Sequence, residues 1–259
     1  MDLAPEILAA LIVAAMAAGF VDAIAGGGGL ITLPALLAAG VPPVPALATN
    51  KLQSVFGTTV AAVTYARAGH LDLRAVAPPA GAAFAGSAGG AVAVQYIDTA
   101  ALEVMAPVMI VLVGGYFLFA RRLDEADRHR RVGPIAYSLI AAAIGFYDGV
   151  FGPGAGSFYT ASLISLVGLG VLRATAQTKV MNAMSNLAAL IVLAVGGHML
   201  WLLGLGMAAG NIVGGRLGSL AAMRFGSRLI RPLLVIVSLA LTARLLADPD
   251  NALARWLWG

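Results

Sequence analysis

The sequence predicts an all-α integral membrane protein made of two inverted-topology repeats. Three observations predict this fold class: the composition, the length and spacing of the apolar runs, and a set of motifs that occurs once in each half. Of the 259 residues, 60% are hydrophobic and only 11% are charged, whereas roughly a quarter are charged in soluble domains. Such a chain has too little polar surface to cover itself, so we expect its outside to face lipid.

The composition also excludes several classes of function. Cysteine is absent, which excludes disulfides, thiolate metal sites and a cysteine nucleophile. The net charge of +4 comes from basic residues that flank apolar runs, a pattern typical of membrane proteins rather than of nucleic-acid binders. With three histidines and no cluster of carboxylates, we expect neither a metal nor a cofactor. Triad, Walker and dinucleotide motifs are missing, so we do not expect an enzyme.

The apolar runs of the first half predict helices that enter or cross a bilayer, whose core takes about 20 helical residues to cross. The run 7–24 meets the glycines 26–29 and is followed by the run 30–41, which is too short to cross alone. Together they predict a short-helix hairpin that is broken at glycine. Three full-length spans then follow, with expected limits of 46–66, 75–96 and 98–120.

The same order recurs in the second half, after the charged stretch from Arg121 to Arg131. The expected runs there are 133–150, a Gly-rich break, 157–170, 174–196, 199–223 and 229–247. Each repeat is thus a Gly-broken short-helix hairpin followed by three transmembrane helices. The predicted organisation is a first repeat at 1–120, a charged cytoplasmic linker at 121–132, a second repeat at 133–247 and a short tail at 248–259.

Matching motifs relate the two halves. The segment 19–22 (GFVD) aligns with 145–148 (GFYD), and a Gly break follows each of them. Beyond the breaks a slightly larger offset aligns Lys51 with Lys179. The same offset aligns Gly69-His70 with Gly197-His198 and the row Ala82, Gly86, Gly90 with the row Gly210, Gly214, Gly218. These rows have the spacing of small residues at close helix contacts, so we expect them to pack helices together.

Orientation follows from the distribution of Lys and Arg in short loops. A cytoplasmic 121–131 loop also places Arg67, Arg74, Arg173 and Arg224 inside, and both termini outside. Each repeat then crosses the membrane an odd number of times, so the second repeat enters from the opposite face, as in many secondary transporters. In the alternative, each hairpin is one broken crossing and the repeats are parallel.

The Gly breaks are the first candidate for a binding site. Irregular backbone at membrane depth is tolerated where it is buried in protein or lines a wet cavity, and the helix N-termini that follow the breaks attract anions. Close helix packing is the alternative role of these glycines. The candidate residues at the breaks are Gly27, Gly28, Gly29, Gly154, Gly156 and Ser157.

Lys51 and Lys179 are the second candidate, because each lies near the start of a long apolar helix among polar residues. An ionisable residue inside a membrane is costly and usually faces a cavity or a partner. A lysine there could neutralise an anion while amides and hydroxyls donate hydrogen bonds to it; snorkelling to the interface is the alternative. The neighbours that we count as ligands are Asn50, Ser54, Gln177 and Asn182. Arg216, inside the second small-residue row, either snorkels or binds the anion.

Four further residues are candidates for coupling. Asp22 and Asp148 precede the breaks and have three open roles: carrying a proton or a coupling ion, holding the break through its amides, or pairing with the two lysines. His70 and His198 end equivalent helices beside glycine. They are candidate proton relays, although a helix-end or interface position is the simpler role.

These motifs resemble a known family. The segments 19–29, 48–51 (ATNK) and 69–70 (GH), with 145–156 and 177–182 in the second half, resemble the TauE/SafE family of sulfite exporters, also called the sulfonate uptake permease family. The resemblance covers nearly the whole chain. It implies a multi-pass transporter of the bacterial inner membrane for small sulfur-containing anions, such as sulfite, thiosulfate, sulfoacetate or other sulfonates.

The predicted function is secondary transport of a small sulfur-containing anion that binds at mid-membrane between the Gly breaks. An interior-negative membrane favours anion exit by about 2.3 kcal/mol per charge per 100 mV, so we expect export. A proton-coupled importer of the same anions is the alternative, and a non-transporting membrane subunit is the alternative from another class. The expected partners are the anion and the lipid bilayer, with no nucleic acid and with a homodimer left open.

Overall fold

The computed structural model describes residues 4–96, 132–230, 232, 233 and 236. Within these residues the chain is helical and contains no strand. The first half forms α1 (Pro5–Ala25), α2 (Gly29–Ala38), α3 (Pro43–Arg67) and α4 (Leu73–Ala93). The second half forms α5 (Pro134–Val150), α6 (Ala155–Ser162) with a π-helical turn at Leu163–Val167, α7 (Val171–Val195) and α8 (Trp201–Phe225).

The helix limits follow the predicted apolar runs closely, and the predicted all-helical class is confirmed for the described residues. The span 98–120, the charged stretch 121–131 and the tail 248–259 lie outside the described residues, as does most of the span 229–247. Both Gly breaks separate a long helix from a short one, as predicted.

Local sequence explains where several helices begin. Proline occupies the first turn of α1, α3 and α5, where its missing N–H costs nothing and its fixed φ already suits a helix. Asp72 caps α4, because its carboxylate accepts hydrogen bonds from the backbone N–H groups of Arg74 and Ala75, both at 3.1 Å.

The helices suit a lipid environment. By length and composition, α1 and α7 are long and apolar enough to cross a membrane, and α3 and α7, with 25 residues each, extend over about 37 Å. Large apolar side chains cover the outside of the bundle. Examples with more than half of their surface exposed are Val13, Leu73, Ile135, Leu139, Val195 and Leu202.

The small-residue rows pack helices from opposite halves, as predicted. A Cβ at Gly214 or Gly218 of α8 would collide with the backbone carbonyls of Met16 or Phe20 of α1. On the other side of the bundle, glycines of α4 are equally close to α5, where Gly90 meets the carbonyl of Phe146. Glycine therefore lets α1 approach α8, and α5 approach α4, at backbone distance.

The central helices α3 and α7 run antiparallel. One core cluster brings Tyr65, near the end of α3, to Val171 and Ala176 at the start of α7. A second cluster brings Ala48, near the start of α3, to Leu193 at the end of α7. These two helices have equivalent limits in the two halves, so equivalent elements cross the centre of the bundle in opposite directions.

All of the described arginines except Arg216 lie at one end of the bundle. The core clusters join the end of α3, the start of α4, the start of α5, the start of α7 and the end of α8 at this end. The arginines of these segments are Arg67, Arg74, Arg173, Arg224 and Arg228, whereas Arg216 lies nine residues before the end of α8. The start of α1, with Glu6, lies at the other end beside the starts of α3 and α8. This segregation agrees with the arginine pattern from which the orientation was predicted.

Candidate functional site

A small polar cavity lies between the two Gly breaks. Its volume is about 20 Å³, which accommodates about one water molecule. Its walls come from α1, α2, α3, α5, α6, α7 and the breaks. The lining residues are Asp22, Gly26, Gly29, Asn50, Lys51, Ser54, Asp148, Gly152, Ala155, Gly156, Asn182 and Asn186.

Lys51 of α3 is held by Asp148 at the end of α5. Its Nζ lies 2.7 Å from Asp148 Oδ1 and also donates to the Asp148 backbone oxygen at 2.5 Å. The second carboxylate oxygen, Oδ2, accepts a hydrogen bond from Ser185 Oγ of α7. Both side chains of this ion pair are almost completely buried, so lysine, carboxylate and hydroxyl form one closed cluster.

Lys179 of α7 is held in the same way by Asp22 near the end of α1. Its Nζ donates to the Asp22 backbone oxygen and lies 3.3 Å from Asp22 Oδ2. Asp22 Oδ1 accepts a long hydrogen bond, 3.3 Å, from the backbone N–H of Gly28 in the break. The carboxylate of Asp22 therefore both pairs with a lysine and holds the break, two of the three roles left open by the sequence.

The two ion pairs are reciprocal. Each joins the lysine of one half to the aspartate of the other half. Each lysine lies eight residues into its helix, about 12 Å from the helix start at 1.5 Å per residue. Because α3 and α7 run in opposite directions, the two lysines lie equally far from opposite ends of the central helices, and both are well inside the bundle.

The Gly breaks meet each other beside these pairs. A Cβ at Gly156 would lie 2.5 Å from the Cα of Gly26, so only glycine allows the two backbones to be so close. Ser157 Oγ donates to the backbone oxygen of Ala25 at 2.7 Å and joins the breaks. Gly152 has a φ of +96°, and a Cβ there would be 3.1 Å from Lys51 Nζ.

A hydrogen-bond network supports the cavity wall on α3. Asn211 of α8 donates to Gln53, and Gln53 donates at 3.0 Å both to Asn50 Oδ1 and to Ser54 Oγ. Thr32 of α2 donates to Asn50 Oδ1 at 2.5 Å. Asn50 and Ser54 line the cavity, whereas their partners in this network do not. The network therefore fixes the orientation of Asn50 and Ser54.

Asn182 carries an unsatisfied acceptor at the cavity. Its side chain is only 4% exposed, it lines the cavity, and its Oδ1 has no hydrogen-bond partner. A buried polar atom without a partner is costly, so this amide is available to a ligand or to water. The sequence had placed Asn182 in the candidate site.

The structure brings part of the predicted site to the cavity. The predicted residues that line it are Gly29, Asn50, Lys51, Ser54, Gly156 and Asn182, with Asp22 and Asp148. The predicted residues that do not line it are Gly27, Gly28, Gly154, Ser157, Gln177 and Lys179. Lys179 lies behind Asp22, to which it is bonded, and Gln177 is buried two residues before it.

Three predicted residues lie elsewhere. Arg216 is exposed and lies outside the cavity, because α8 turns its neighbours Gly214 and Gly218 towards α1. The binding role considered for Arg216 is therefore not supported. His70 and His198 lie just beyond the ends of α3 and α7, where their backbone N–H groups bond to Tyr65 and Leu193. They cap helix ends, which is the simpler of their two predicted roles.

Sequence reasoning missed several residues of the site. Asn211 and Thr32 were not singled out as its support. Gln53 and Asn186 are polar neighbours of the predicted lysines, and Gly26 and Gly152 belong to the Gly breaks, but these four were not counted among the binding residues. Asn211 could have been identified from the sequence, because an amide inside a glycine-rich apolar helix needs a hydrogen-bond partner in the bundle.

The charges of the site cancel within the protein. Two lysines face two aspartates, and the other charged residues in the described ranges are exposed. Those ranges contain no cluster of His, Cys, Asp or Glu that could hold a metal ion. The arrangement can offer ammonium, amide and hydroxyl donors to an oxyanion, from Lys51 while it is paired and from Lys179 once Asp22 releases it.

Comparison with known proteins agrees with this architecture. A family profile described as "Sulfite exporter TauE/SafE" matches residues 11–245. The chain belongs to the TauE/SafE family. The resemblance drawn from the Gly and Lys motifs is therefore confirmed, and the protein is a membrane protein with transporter relatives.

Curated relatives of this TauE/SafE member match it along nearly its whole length. "Probable membrane transporter protein ORF9" of Sinorhizobium sp. is 47% identical over 99% of this chain and 98% of its own. "Probable membrane transporter protein YfcA" of Escherichia coli K12 is 42% identical over 98% and 95%. A "Probable membrane transporter protein" of Haemophilus influenzae is 43% identical over 96% and 98%. No solved structure matches the chain.

Proposed function

We propose that this protein is a secondary transporter that carries small sulfur-containing oxyanions, sulfite or organosulfonates, across the bacterial inner membrane. The observation that carries the proposal is the pair of buried lysines beside the polar cavity, each held by an aspartate of the other half. Ionisable groups inside a membrane bundle mark substrate pathways by default. The family description and the transporter names of the relatives support the same class.

The proposal includes two inverted-topology repeats, at 1–120 and 133–247, which are joined by the charged linker. The antiparallel course of α3 and α7 supports it, and so does the exchange of partners between the ion pairs. In transporters of this kind the substrate binds at the interface of the repeats, where broken helices meet. Alternating access would then be a movement of one repeat against the other around the cavity.

The anion is recognised by ammonium and amide groups at the cavity. The ammonium of Lys51 has three donors, and Asp148 uses two of them, so one remains for a ligand. Asn182 and Ser54 lie on α7 and α3 at equivalent positions of the two halves and both line the cavity. An amide can turn its Nδ2 towards an oxyanion as readily as its Oδ1 towards a donor.

Export is the proposed direction for an anion that crosses with net negative charge. The membrane potential drives such an anion outwards by about 2.3 kcal/mol per charge per 100 mV. A cavity that now accommodates about one water molecule must expand to admit sulfite or a sulfonate. The described conformation, with both ion pairs closed, is then a state that has not yet admitted the anion.

One observation favours the alternative of a proton-coupled importer. Asp22 lines the cavity and its side chain is 18% exposed, so a carboxylate is placed where a proton could be taken up with the anion. Accumulation of the dianion sulfoacetate driven by an imposed pH gradient, with no response to membrane potential, would support import over export.

The experiment for the proposed function is anion flux in proteoliposomes that contain only this protein. Vesicles loaded with labelled sulfite, sulfoacetate or methanesulfonate are diluted into anion-free buffer, and efflux is compared with that of protein-free vesicles. We expect protein-dependent efflux of at least one of these anions, with a smaller effect for chloride. Efflux equal to that of empty vesicles for every anion would contradict the proposal and favour a non-transporting subunit.

A further inference from the structure

The two ion pairs are equivalent in sequence but differ in the contact that each lysine makes with the carboxylate of its aspartate. The Lys51–Asp148 pair has a Nζ–Oδ1 distance of 2.7 Å and its aspartate side chain is 5% exposed. The Lys179–Asp22 pair has a Nζ–Oδ2 distance of 3.3 Å and its aspartate side chain is 18% exposed. Charge-assisted hydrogen bonds between nitrogen and oxygen are normally about 2.7–2.9 Å long, so the second pair is the looser one.

One residue difference between the halves explains this asymmetry. Ser185 donates to Asp148 Oδ2, and it also contacts the backbone oxygen of Asn182. At the equivalent position of the first half stands Gly57, which has no hydroxyl to offer to Asp22. A side chain there would collide with the Asn211 amide, so the first half cannot supply the missing donor at this position.

Asp22 also lies between the cavity and its lysine. Asp22 lines the cavity, whereas Lys179, to which it is bonded, does not. An anion that reaches Lys179 must displace the Asp22 carboxylate from it. A displaced carboxylate inside the bundle would be an uncompensated buried charge, which is far more costly than a protonated carboxyl group.

We propose that Asp22 is the proton-binding carboxylate of the transport cycle, and that Asp148 stays ionised and paired with Lys51 throughout it. The inference rests on the proposed function and deepens it. When an oxyanion occupies the ammonium of Lys179, the Asp22 carboxylate takes one proton from solvent on the side from which the anion enters. Release of the anion returns the proton to solvent, and the ion pair forms again. The anion therefore crosses with one proton.

The other groups that face Asp22 fit this role. Lys179 on α7 and Lys51 on α3 are the cations near it, and Asp148 lies across the cavity. Tyr65 on α3 donates its hydroxyl to the backbone oxygen of Ala23 rather than to the carboxylate. The described residues of α2 include no titratable side chain, and the arginines of α8 are exposed.

The proposal predicts how charge movement depends on the anion. Methanesulfonate, a monoanion, crosses without net charge when accompanied by one proton. Sulfoacetate, a dianion, crosses with one net negative charge under the same rule, so that its flux responds to membrane potential and remains compatible with export. A carrier without a proton site would move net charge with both anions.

The test measures protons and anions together in proteoliposomes that contain the full chain. A pH dye in the lumen reports protons, and labelled methanesulfonate reports the anion. We expect wild-type protein to move one proton with each anion. In Asp22→Asn the residual anion flux is expected to carry no protons and to lose its pH dependence. Asp148→Asn is expected to be less stable and slower, but to keep the wild-type ratio. Ser138→Ala, an exposed hydroxyl that bonds only within α5, is the control.

The assignment is overturned if Asp22→Asn keeps the wild-type proton ratio, or if Asp148→Asn loses it. Infrared difference spectra on acidification give a readout that needs no flux. We expect the band of a protonated carboxyl group in wild type and in Asp148→Asn, and its loss in Asp22→Asn or, if that variant does not fold, in Asp22→Asn with Lys179→Met. A band that persists without Asp22 would contradict the assignment. Absence of any wild-type anion flux would instead contradict the proposed function.

Discussion

Lys51 and Asp148, 97 residues apart in the chain, form a 2.7 Å ion pair beside a polar cavity inside the helical bundle. The pair joins the lysine of the first half to the aspartate of the second half. The equivalent pair joins Lys179 of the second half to Asp22 of the first half. Two reciprocal ion pairs therefore connect the Gly break of each half to the central helix of the other half. A movement of one half against the other has to break the Lys179–Asp22 contact or turn about the Lys51–Asp148 pair.

Removing one partner of an ion pair and leaving the other in place should destabilise the protein. In Lys51→Ala the Asp148 carboxylate stays buried without its cation, and such a loss costs about 3–5 kcal/mol in proteins. We expect a clear fall in the melting temperature of the purified protein in detergent. Removing both charges with Lys51→Met and Asp148→Leu should restore most of the stability, because no buried charge is left. Equal melting temperatures for Lys51→Ala and wild type would show that the pair is not formed.

The contact between the Gly breaks should not tolerate a side chain. The Cβ of Gly156→Ala would lie 2.5 Å from the Gly26 Cα and 2.6 Å from Asn182 Nδ2, and overpacking of this kind costs about 1–3 kcal/mol. We expect lower stability and loss of anion flux. Gly81→Ala is the matched control, because a Cβ there meets nothing within 4 Å, and alanine favours a helix by up to about 1 kcal/mol. If both variants behave alike, the close approach of the breaks is wrong.

The effect of adding a side chain along the small-residue row of α8 should depend on the position of the substitution. Gly214→Val would place its Cβ against the backbone oxygen of Met16, whereas the Cβ of Gly206→Val would be at ordinary contact distance, 3.7 Å, from Leu8 Cδ1. We expect the first variant to be strongly destabilised and the second to be much closer to wild type. Thermal unfolding of both proteins in the same detergent measures the difference. A reversed order would contradict the parallel packing of α1 on α8.

The orientation can be tested by cysteine labelling, since the chain has no cysteine of its own. Glu6 and Arg74 are exposed and lie at opposite ends of the bundle. We expect Glu6→Cys to react with a membrane-impermeant maleimide in intact cells, and Arg74→Cys to react only after permeabilisation, because arginine-rich ends stay in the cytoplasm. Labelling of both positions from the same side would exclude the proposed topology.

The helices were predictable because each is an apolar run bounded by proline, glycine or charge. The limits of α3 and α7, for example, agree with the predicted spans 46–66 and 174–196 to within a few residues. The equivalence of α3 and α7 was predictable too, because glycines and lysines recur in the same order in the two halves and the two helices have equivalent limits. Local sequence carries this information, because backbone N–H and C=O groups inside lipid have to be hydrogen-bonded within the protein. An α-helix forms these hydrogen bonds within a single segment.

The partners of the site residues were not predictable from local sequence. Pairing of Lys51 with Asp148 was one of three open roles, and only the packing of the two halves selects it. The same packing sets which face of α8 meets α1, and so leaves Arg216 exposed while Asn211 reaches Gln53. The two ion pairs differ because Ser185 donates to Asp148, whereas Gly57 at the equivalent position has no hydroxyl to offer to Asp22. The sequence alone does not show that this position lies beside a carboxylate.

The central claim is that the anion crosses at the cavity beside Lys51. Sulfoacetate efflux tests it most directly, when proteoliposomes that contain the Lys51→Met, Asp148→Leu protein are compared with wild type at matched protein content. Melting temperature first establishes that the variant is folded. The account predicts protein-dependent efflux for wild type and efflux no faster than that of empty vesicles for the folded variant, because the ammonium group at the cavity is gone. Wild-type efflux from the folded variant would contradict the claim that the anion crosses at this cavity.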